Sequence, residues 1–220
     1  MSAPRPVWMQ QVADADASIH PWYEQHRPPP GTDRKAAVLM LFGPDPAGGE
    51  DVVLTERSQT LRAHPGQVSF PGGRVDTEDE HSVAAALREA EEEAGIDPSG
   101  VEVVATFPEL YLSPSDNAVT PVLAWWPAPG PVRVVDRAEV ARVLRVPVRD
   151  LVDPANRFTT VFGPYRGPGF EVDGLFVWGF TAMLLGTLLD AAGLALPWDE
   201  ADERQLPERV LSPWMRDHRS

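Results

Sequence analysis

The chain has 220 residues, 43% of them hydrophobic, which suits one domain with a sizeable core and short appendages. A formal charge of −14 argues against non-specific nucleic-acid binding, which needs clustered cations to displace counterions from phosphates, and zero cysteines leave no disulfide or thiol chemistry. The N-terminus lacks a basic segment followed by an apolar run, and no span of about 20 apolar residues is present, so a soluble, cytoplasmic protein with no membrane partner is expected.

Residues 1–35 are proline-rich and read as an N-terminal extension, in which 12–20 suits a short helix and Trp22-Tyr23 a tether to the domain. The main domain then runs over 36–193. Ala36 to Phe42 is a continuous apolar run that predicts a central strand, and Asp51 to Glu56 resumes after a Gly/Pro-rich turn as its hairpin partner. Arg57, Arg62 and His64 follow in a polar loop. A guanidinium offers paired donors that match phosphate oxygens, so Arg57 and Arg62 are candidate substrate clamps, against the plainer reading of surface salt bridging.

Phe70-Pro71-Gly72-Gly73 predicts a turn: proline fixes one backbone angle, while Gly72 and Gly73 tolerate positive φ and let the backbone approach a ligand closely. A helix over Val83 to Ala94 follows, with Ser82 as N-cap and Gly95 as the left-handed residue that ends it. Val83, Leu87, Ala90 and Ala94 form an apolar stripe along it. Glu89, Glu92 and Glu93, spaced i, i+3, i+4, share another flank from which they can reach a common point. Such acids repel one another unless a hard divalent cation such as Mg²⁺ takes their oxygens as ligands, and the Gly73 carbonyl is a further candidate ligand. Arg88 lies beside them and can orient a glutamate. A solvated acidic helix face is the plain alternative, but it needs neither a Pro-Gly-Gly entrance nor an arginine-rich segment ahead of it.

Beyond the helix, Val101 to Phe107 and Val119 to Trp126 are predicted strands, with Pro121 marking an edge or a bulge. The loop between them offers Ser113, Ser115, Asp116 and Asn117 for polar recognition or for turn formation. Trp125 and Trp126 suit core packing better than base stacking. Val132 to Val135 suits a short strand and Arg137 to Leu144 a helical turn carrying Glu139. Residues 156–174, with Arg157, Tyr165 and Arg166, predict a hairpin near the substrate, 175–193 a strand end and a buried helix, and 194–220 a peripheral C-terminal tail. Strands flanking one long helix, with a second apolar helix late in the chain, predict an α/β fold in which a mixed sheet is covered on both faces.

Arg88-Glu89-Ala90-Glu91-Glu92-Glu93-Ala94-Gly95-Ile96 resembles the tail of the Nudix box, which reads G, five residues, E, seven residues, R-E-U-x-E-E-x-G-U with U a bulky aliphatic. Two departures stand out: Ala90 is small for the first U, and six residues separate Gly73 from Glu80, itself separated from Arg88 by seven. Upstream, Leu54-Thr55-x-Arg57-Ser58-x₃-Arg62-x₃-Gly66-x₃-Phe70-Pro71-Gly72-Gly73 is similar to the signature of the coenzyme A pyrophosphatase branch, which carries the same insertion. The resemblance extends loosely over about 36–192. It implies a Nudix-type α/β/α sandwich, Mg²⁺ or Mn²⁺ as cofactor, and a small nucleotide diphosphate as partner. Coenzyme A, cut to 3′,5′-ADP and 4′-phosphopantetheine, is the leading substrate. It further implies metal ligands at Glu89, Glu92, Glu93 and Gly73, catalytic roles for Glu92, Glu93 and Arg88, and substrate contacts at Arg57, Arg62, Gly72 and Gly73. Glu139 fits the glutamate that such enzymes recruit after the box to activate water, or else a surface residue. Hydrolysis of ADP-ribose or another nucleoside diphosphate derivative is the alternative within the family. A non-catalytic Nudix-fold regulator is the alternative outside catalysis, and the intact acid set stands against it. A monomer or homodimer is expected.

Overall fold

The apolar run after residue 35 forms β1 (Lys35–Pro44), and Leu39, Met40, Leu41 and Phe42 are all fully buried. A strand with no polar alternate must be covered on both faces. The computed structural model, which describes residues 2–15, 21–61, 64–112 and 115–211, shows how. On one side β1 runs parallel to β7 (Asn117–Trp125), in register from Lys35 with Ala118 to Phe42 with Trp125. On the other it pairs with β2 (Glu50–Arg57) only beside their connecting turn, from Phe42 with Val52 to Pro44 with Glu50. Beyond that turn the two strands splay.

The splay is filled from one segment. β3 (Val68–Ser69) adds to β2, while β4 (Gly72–Arg74) adds to β1 through Val38 with Gly72 and Ala37 with Gly73. Phe70 and Pro71 cross between them, and the Leu39 N–H donates to the Pro71 carbonyl at 2.8 Å. β5 (Glu102–Thr106) and β6 (Leu110–Leu112) cover the outer side of β7, and β8 (Val140–Pro147) covers that of β2.

Side chains alternate across the sheet, so β1 feeds two cores. Ala37, Leu39 and Leu41, with Val53, Val122 and Ala124, pack under α3 (Ser82–Ala94) through Ala85, Ala86, Ala90 and Ala94. Met40 and Phe42, with Leu54, Leu123 and Trp125, face α1 (Val7–Asp14) and α5 (Gly179–Ala191), whose Leu184, Leu185 and Leu188 are buried. The short helices α2 (Pro21–Gln25) and α4 (Val148–Val152) lie between these elements in the chain. The result is the expected α/β/α sandwich with a mixed sheet. Among the described residues no helix is long and apolar enough to cross a membrane.

Several expected elements move. The early helix occupies Val7–Asp14, upstream of 12–20, because Trp8, Met9 and Val12 form its apolar face; residues 16–20 lie outside those described. The ring of Trp8 meets Phe42 edge-on at 5.2 Å, Trp125 Nε1 donates to the Ala3 carbonyl at 3.2 Å, and Tyr23 is buried, so the segment set apart as an extension is packed on the domain. The Trp22 side chain lies outside the described atoms. Residues 132–135 form no strand, and 137–144 form no helical turn: a tight turn at 136–139 leads into β8, where Val140, Leu144 and Val146 pack and β2 supplies a free edge. Tertiary pairing overrides a weak helical preference there. Pro121 sits in an interior strand, at the point where β7 changes partner from β5 to β6, so its missing N–H costs no ladder bond on that side.

The late hairpin belongs to a second sheet, ordered β11-β10-β9-β12, built from β9 (Arg157–Phe162), β10 (Tyr165–Val172), β11 (Leu175–Val177) and β12 (Glu203–Gln205). β12 comes from the segment expected as a peripheral tail: it takes the free edge of β9 in parallel, and Leu206 and Val210 bury against Phe158 and Phe176. Arg157 is directed between the rings of Phe170 and Trp198, and Arg166 pairs with Glu203, so these cations are engaged within the second sheet.

Trp8→Ala removes a large buried side chain from the core that α1 shares with the sheet. It is expected to lower unfolding stability by about 3 kcal/mol in a denaturant titration. A change below about 0.5 kcal/mol would show that the segment is an appendage after all.

Candidate metal centre

The glycine turn is held where backbone and carboxylate come closest. A β-carbon on Gly72 (φ 156°) would lie 2.3 Å from the Ala37 carbonyl oxygen, and one on Gly73 would lie 2.3 Å from Glu89 Oε1. The neighbouring strand therefore demands the first glycine, and the acid helix demands the second. α3 starts one residue earlier than expected: His81 is the N-cap, its Nδ1 accepting from the Ala84 N–H at 3.1 Å, while Ser82 accepts a hydrogen bond from Thr120 at 3.2 Å. Gly95 ends it in the left-handed conformation (φ 68°), as expected.

Glu93 is 3% exposed, and its Oε2 accepts the Gly72 N–H at 3.1 Å. Arg57 Nη1 lies 4.0 Å from its other oxygen. Burial pushes the Glu93 carboxyl up to about 7; the Gly72 N–H and Arg57 oppose that, and the charges of Glu89 and Glu139 add to it. Glu89 is likewise pushed up, first by burial, with Arg88 opposing and Glu92 and Glu139 reinforcing. Both acids thus respond to Glu139, which tertiary structure brings beside the helix on the exposed turn before β8. Its carbonyl accepts the Ser58 N–H at 2.8 Å, next to Arg57.

Arg88 uses all its donors. Nε and Nη2 fork the two oxygens of Asp79 at 3.2 and 3.0 Å, Nη2 also reaches the Arg74 carbonyl at 3.0 Å, and Nη1 donates to Glu89 at 3.1 Å and Glu92 at 2.9 Å. A guanidinium carries five N–H groups in a fixed plane, and each one here has an acceptor. The Arg88 guanidinium holds the Asp79 carboxyl below the usual carboxylate range. The sequence reading missed Asp79. The six-residue spacing after Gly73 was the signal, since it leaves the acid of the box ambiguous between neighbours.

Glu89 and Glu93 face the glycine turn, while Glu92 stands half in solvent on Arg88. Among the described residues no three carboxylates or imidazoles close around one point, so the expected convergence is not preformed. Glu89 and Glu92 are hydrogen-bonded to Arg88, while Glu93 is turned to Gly72. The donor set still fits a hard cation of the Mg²⁺ kind, which takes one or two carboxylates and fills its remaining positions with water and phosphate oxygens. Two features support the fit: a buried carboxylate with raised proton affinity, and a glycine cradle that any side chain would fill.

Much of the upstream signature is architectural. Thr55 and Ser69 hydroxyls meet at 3.0 Å across β2 and β3, Ser58 is buried against Thr60, Phe70 is in the core, and Gly66 is left-handed (φ 69°). Arg57 is the described signature cation that faces the acids; Arg62 and Ser113 lie outside the described residues. Trp125 and Trp126 are buried, as expected of core residues.

The NUDIX domain family model matches residues 32–162, well over half of the chain. A protein of Escherichia coli (strain K12 / DH10B) that bears the name uncharacterized Nudix hydrolase NudL is 40% identical over 160 residues, covering 70% of this chain and 81% of that protein. The protein of the same name in Shigella flexneri serotype 5b (strain 8401) is 40% identical over 164 residues, 72% of this chain and 83% of its own length. Among solved structures, a Nudix hydrolase from M. smegmatis, RenU, is 26% identical with a TM-score of 0.46, over 54% of this chain and 73% of that one. By the span of the family match and the identity to NudL, the chain belongs to the Nudix hydrolases, enzymes that cut diphosphate bonds.

Proposed function

We propose that this hydrolase cleaves the diphosphate of coenzyme A or one of its derivatives, releasing 3′,5′-ADP and 4′-phosphopantetheine, with Mg²⁺ or Mn²⁺ as cofactor. The observation that carries the reading is the placement of Glu93 between the Gly72 N–H and Arg57, which joins the upstream arginine loop to the acid helix in one site. The substrate assignment rests on the upstream signature from Leu54 to Gly73.

Glu89, Glu93 and the Gly73 carbonyl, with Glu92 at the rim, would hold the cation. When bound, it supplies neutralisation of the diphosphate and polarisation of the attacking water. Water oxygen bonds to one phosphorus, the bond from that phosphorus to the bridging oxygen breaks, and the bridging oxygen leaves on the other phosphate. Glu139, exposed on its turn and anchored through Ser58 beside Arg57, takes the water's proton. Arg57, joined by Arg62, stabilises charge on the non-bridging oxygens, as a planar guanidinium does well. The Gly72 N–H holds Glu93, and Arg88 orients Glu89 and Glu92. A chain of net charge −14 repels an anion at long range, so this local positive set is what admits the substrate.

Incubated with Mg²⁺ or Mn²⁺ and, separately, coenzyme A, ADP-ribose and NADH, the protein is expected to yield 3′,5′-ADP and phosphopantetheine by mass spectrometry, and only with metal. Cleavage of ADP-ribose or NADH alone would remove the coenzyme A assignment.

Glu93→Gln is expected to lower turnover by about two orders of magnitude or more. It also has a pH signature without metal. The fold holds the Glu93 proton up to about 7, against an ordinary glutamate near 4.3. The stability this confers is fully present below the ordinary value and is lost as pH rises through about 7. In EDTA, wild type should therefore lose melting temperature relative to the variant between pH 5 and 8, and divalent cation should restore it in wild type alone. Parallel curves would remove Glu93 from the site.

A further inference from the structure

We infer that Asp79, and not Glu80, is the acid that sets the Nudix helix for metal binding, acting as a positioning residue through Arg88. The inference rests on the metal site proposed above. By box spacing seven residues separate Glu80 from Arg88, yet Glu80 is exposed and has no ion pair among the described residues. Asp79 is one residue earlier, with a side chain 6% exposed, and both of its oxygens are forked by Arg88. Its Oδ2 also accepts the Asp76 N–H at 2.8 Å, and its own N–H donates to the Asp76 carbonyl at 3.1 Å, so the loop that carries it is closed on itself.

The extra residue after Gly73 therefore changes which acid points at the arginine. Residues 76–79 fold into a tight turn that turns Asp79 inward, and Glu80 follows it outward to solvent.

The fork matters because a guanidinium is flat and rigid. Anchoring its Nε/Nη2 edge on Asp79 fixes the direction of Nη1, which is the atom that holds Glu89 and Glu92. Without the Asp79 charge, the anions left beside Arg88 are those two glutamates and the more exposed Asp76, 3.7 Å from Nη2. Nη1 already bonds one oxygen of each glutamate; with Nε and Nη2 released from Asp79, those donors can turn to the glutamates as well, competing with a cation for their remaining oxygens. Asp79 thus limits Arg88 to one oxygen of each glutamate, leaving the other oxygens for a cation. Outer partners of this kind alter metal affinity by about 10- to 100-fold when removed.

The test is Mn²⁺ affinity, measured by the electron paramagnetic resonance of free Mn²⁺, on wild type, D79N, E80Q, R88K, D79N/R88K and E93Q, with melting temperatures in EDTA as a folding control. D79N is expected to bind Mn²⁺ about tenfold more weakly, E80Q to match wild type, and the double variant to be no weaker than R88K alone. For the cleaved substrate, D79N should lower kcat with KM within about twofold of wild type. Tenfold weaker binding in E80Q would overturn the inference even if D79N did not fold, because Glu80 is a surface residue. So would additive losses in D79N/R88K. If D79N bound like wild type while E93Q did not, the inference would fail and the metal site would stand. If wild type bound no Mn²⁺, both would fall.

Discussion

Glu93 carries a carboxylate into a place from which water has been removed, and the backbone N–H of Gly72 meets it there at 3.1 Å. That one bond ties the acid helix to the turn between β3 and β4, and the turn exists because β1 and β2 splay. Burying a carboxylate with a single neutral donor and a guanidinium 4.0 Å away is unfavourable by itself, as the raised proton affinity records. The surrounding fold holds it there. α3 is fixed on the sheet by four buried alanines, which leave no room for the helix to rotate Glu93 outward without opening the core. On the proposed reading, a cation bound beside Glu93 would offset the same desolvation.

The two arginines near this helix differ in how far their donors are engaged. Arg88 is saturated, with acceptors for every donor and acids on three sides. Arg57 is not: its Nε is buried with no hydrogen-bond partner among the described residues, and its Nη1 only approaches Glu93. Its partly exposed terminal nitrogens make no hydrogen bond among the described residues. On the proposed reading, one arginine orders ligands and the other is left for an anionic substrate.

The second sheet is joined to the site without contributing acids to it. Thr181, at the start of α5, donates to the Val68 carbonyl at 2.9 Å in a buried position two residues before Phe70. Arg142 of β8 reaches both Glu56 and the carbonyl of Asp173 in the turn between β10 and β11. These links brace β3, β8 and β2, the strand that ends in Arg57. The terminal segments serve the same end, with α1 closing one face of the main sheet and β12 closing the free edge of β9.

Local features were legible in the sequence because they act over a few residues. Gly95 as the helix stop, the acid spacing on α3, the β1 run buried on both faces and the paired glycines each follow from backbone freedom, helical period or continuous apolarity. The same local logic failed where partners come from afar. Residues 140–147 have a mixed preference and become a strand because β2 offers an edge; 203–205 do so because β9 does. His81 displaces Ser82 as the cap because Thr120, on a distant strand, engages the serine hydroxyl. Whether Asp79 or Glu80 meets Arg88 depends on how the loop before the helix closes. Spacing determined which residues share a face; tertiary structure decided which charge each one meets, because a buried carboxylate takes whatever donor the rest of the chain brings beside it.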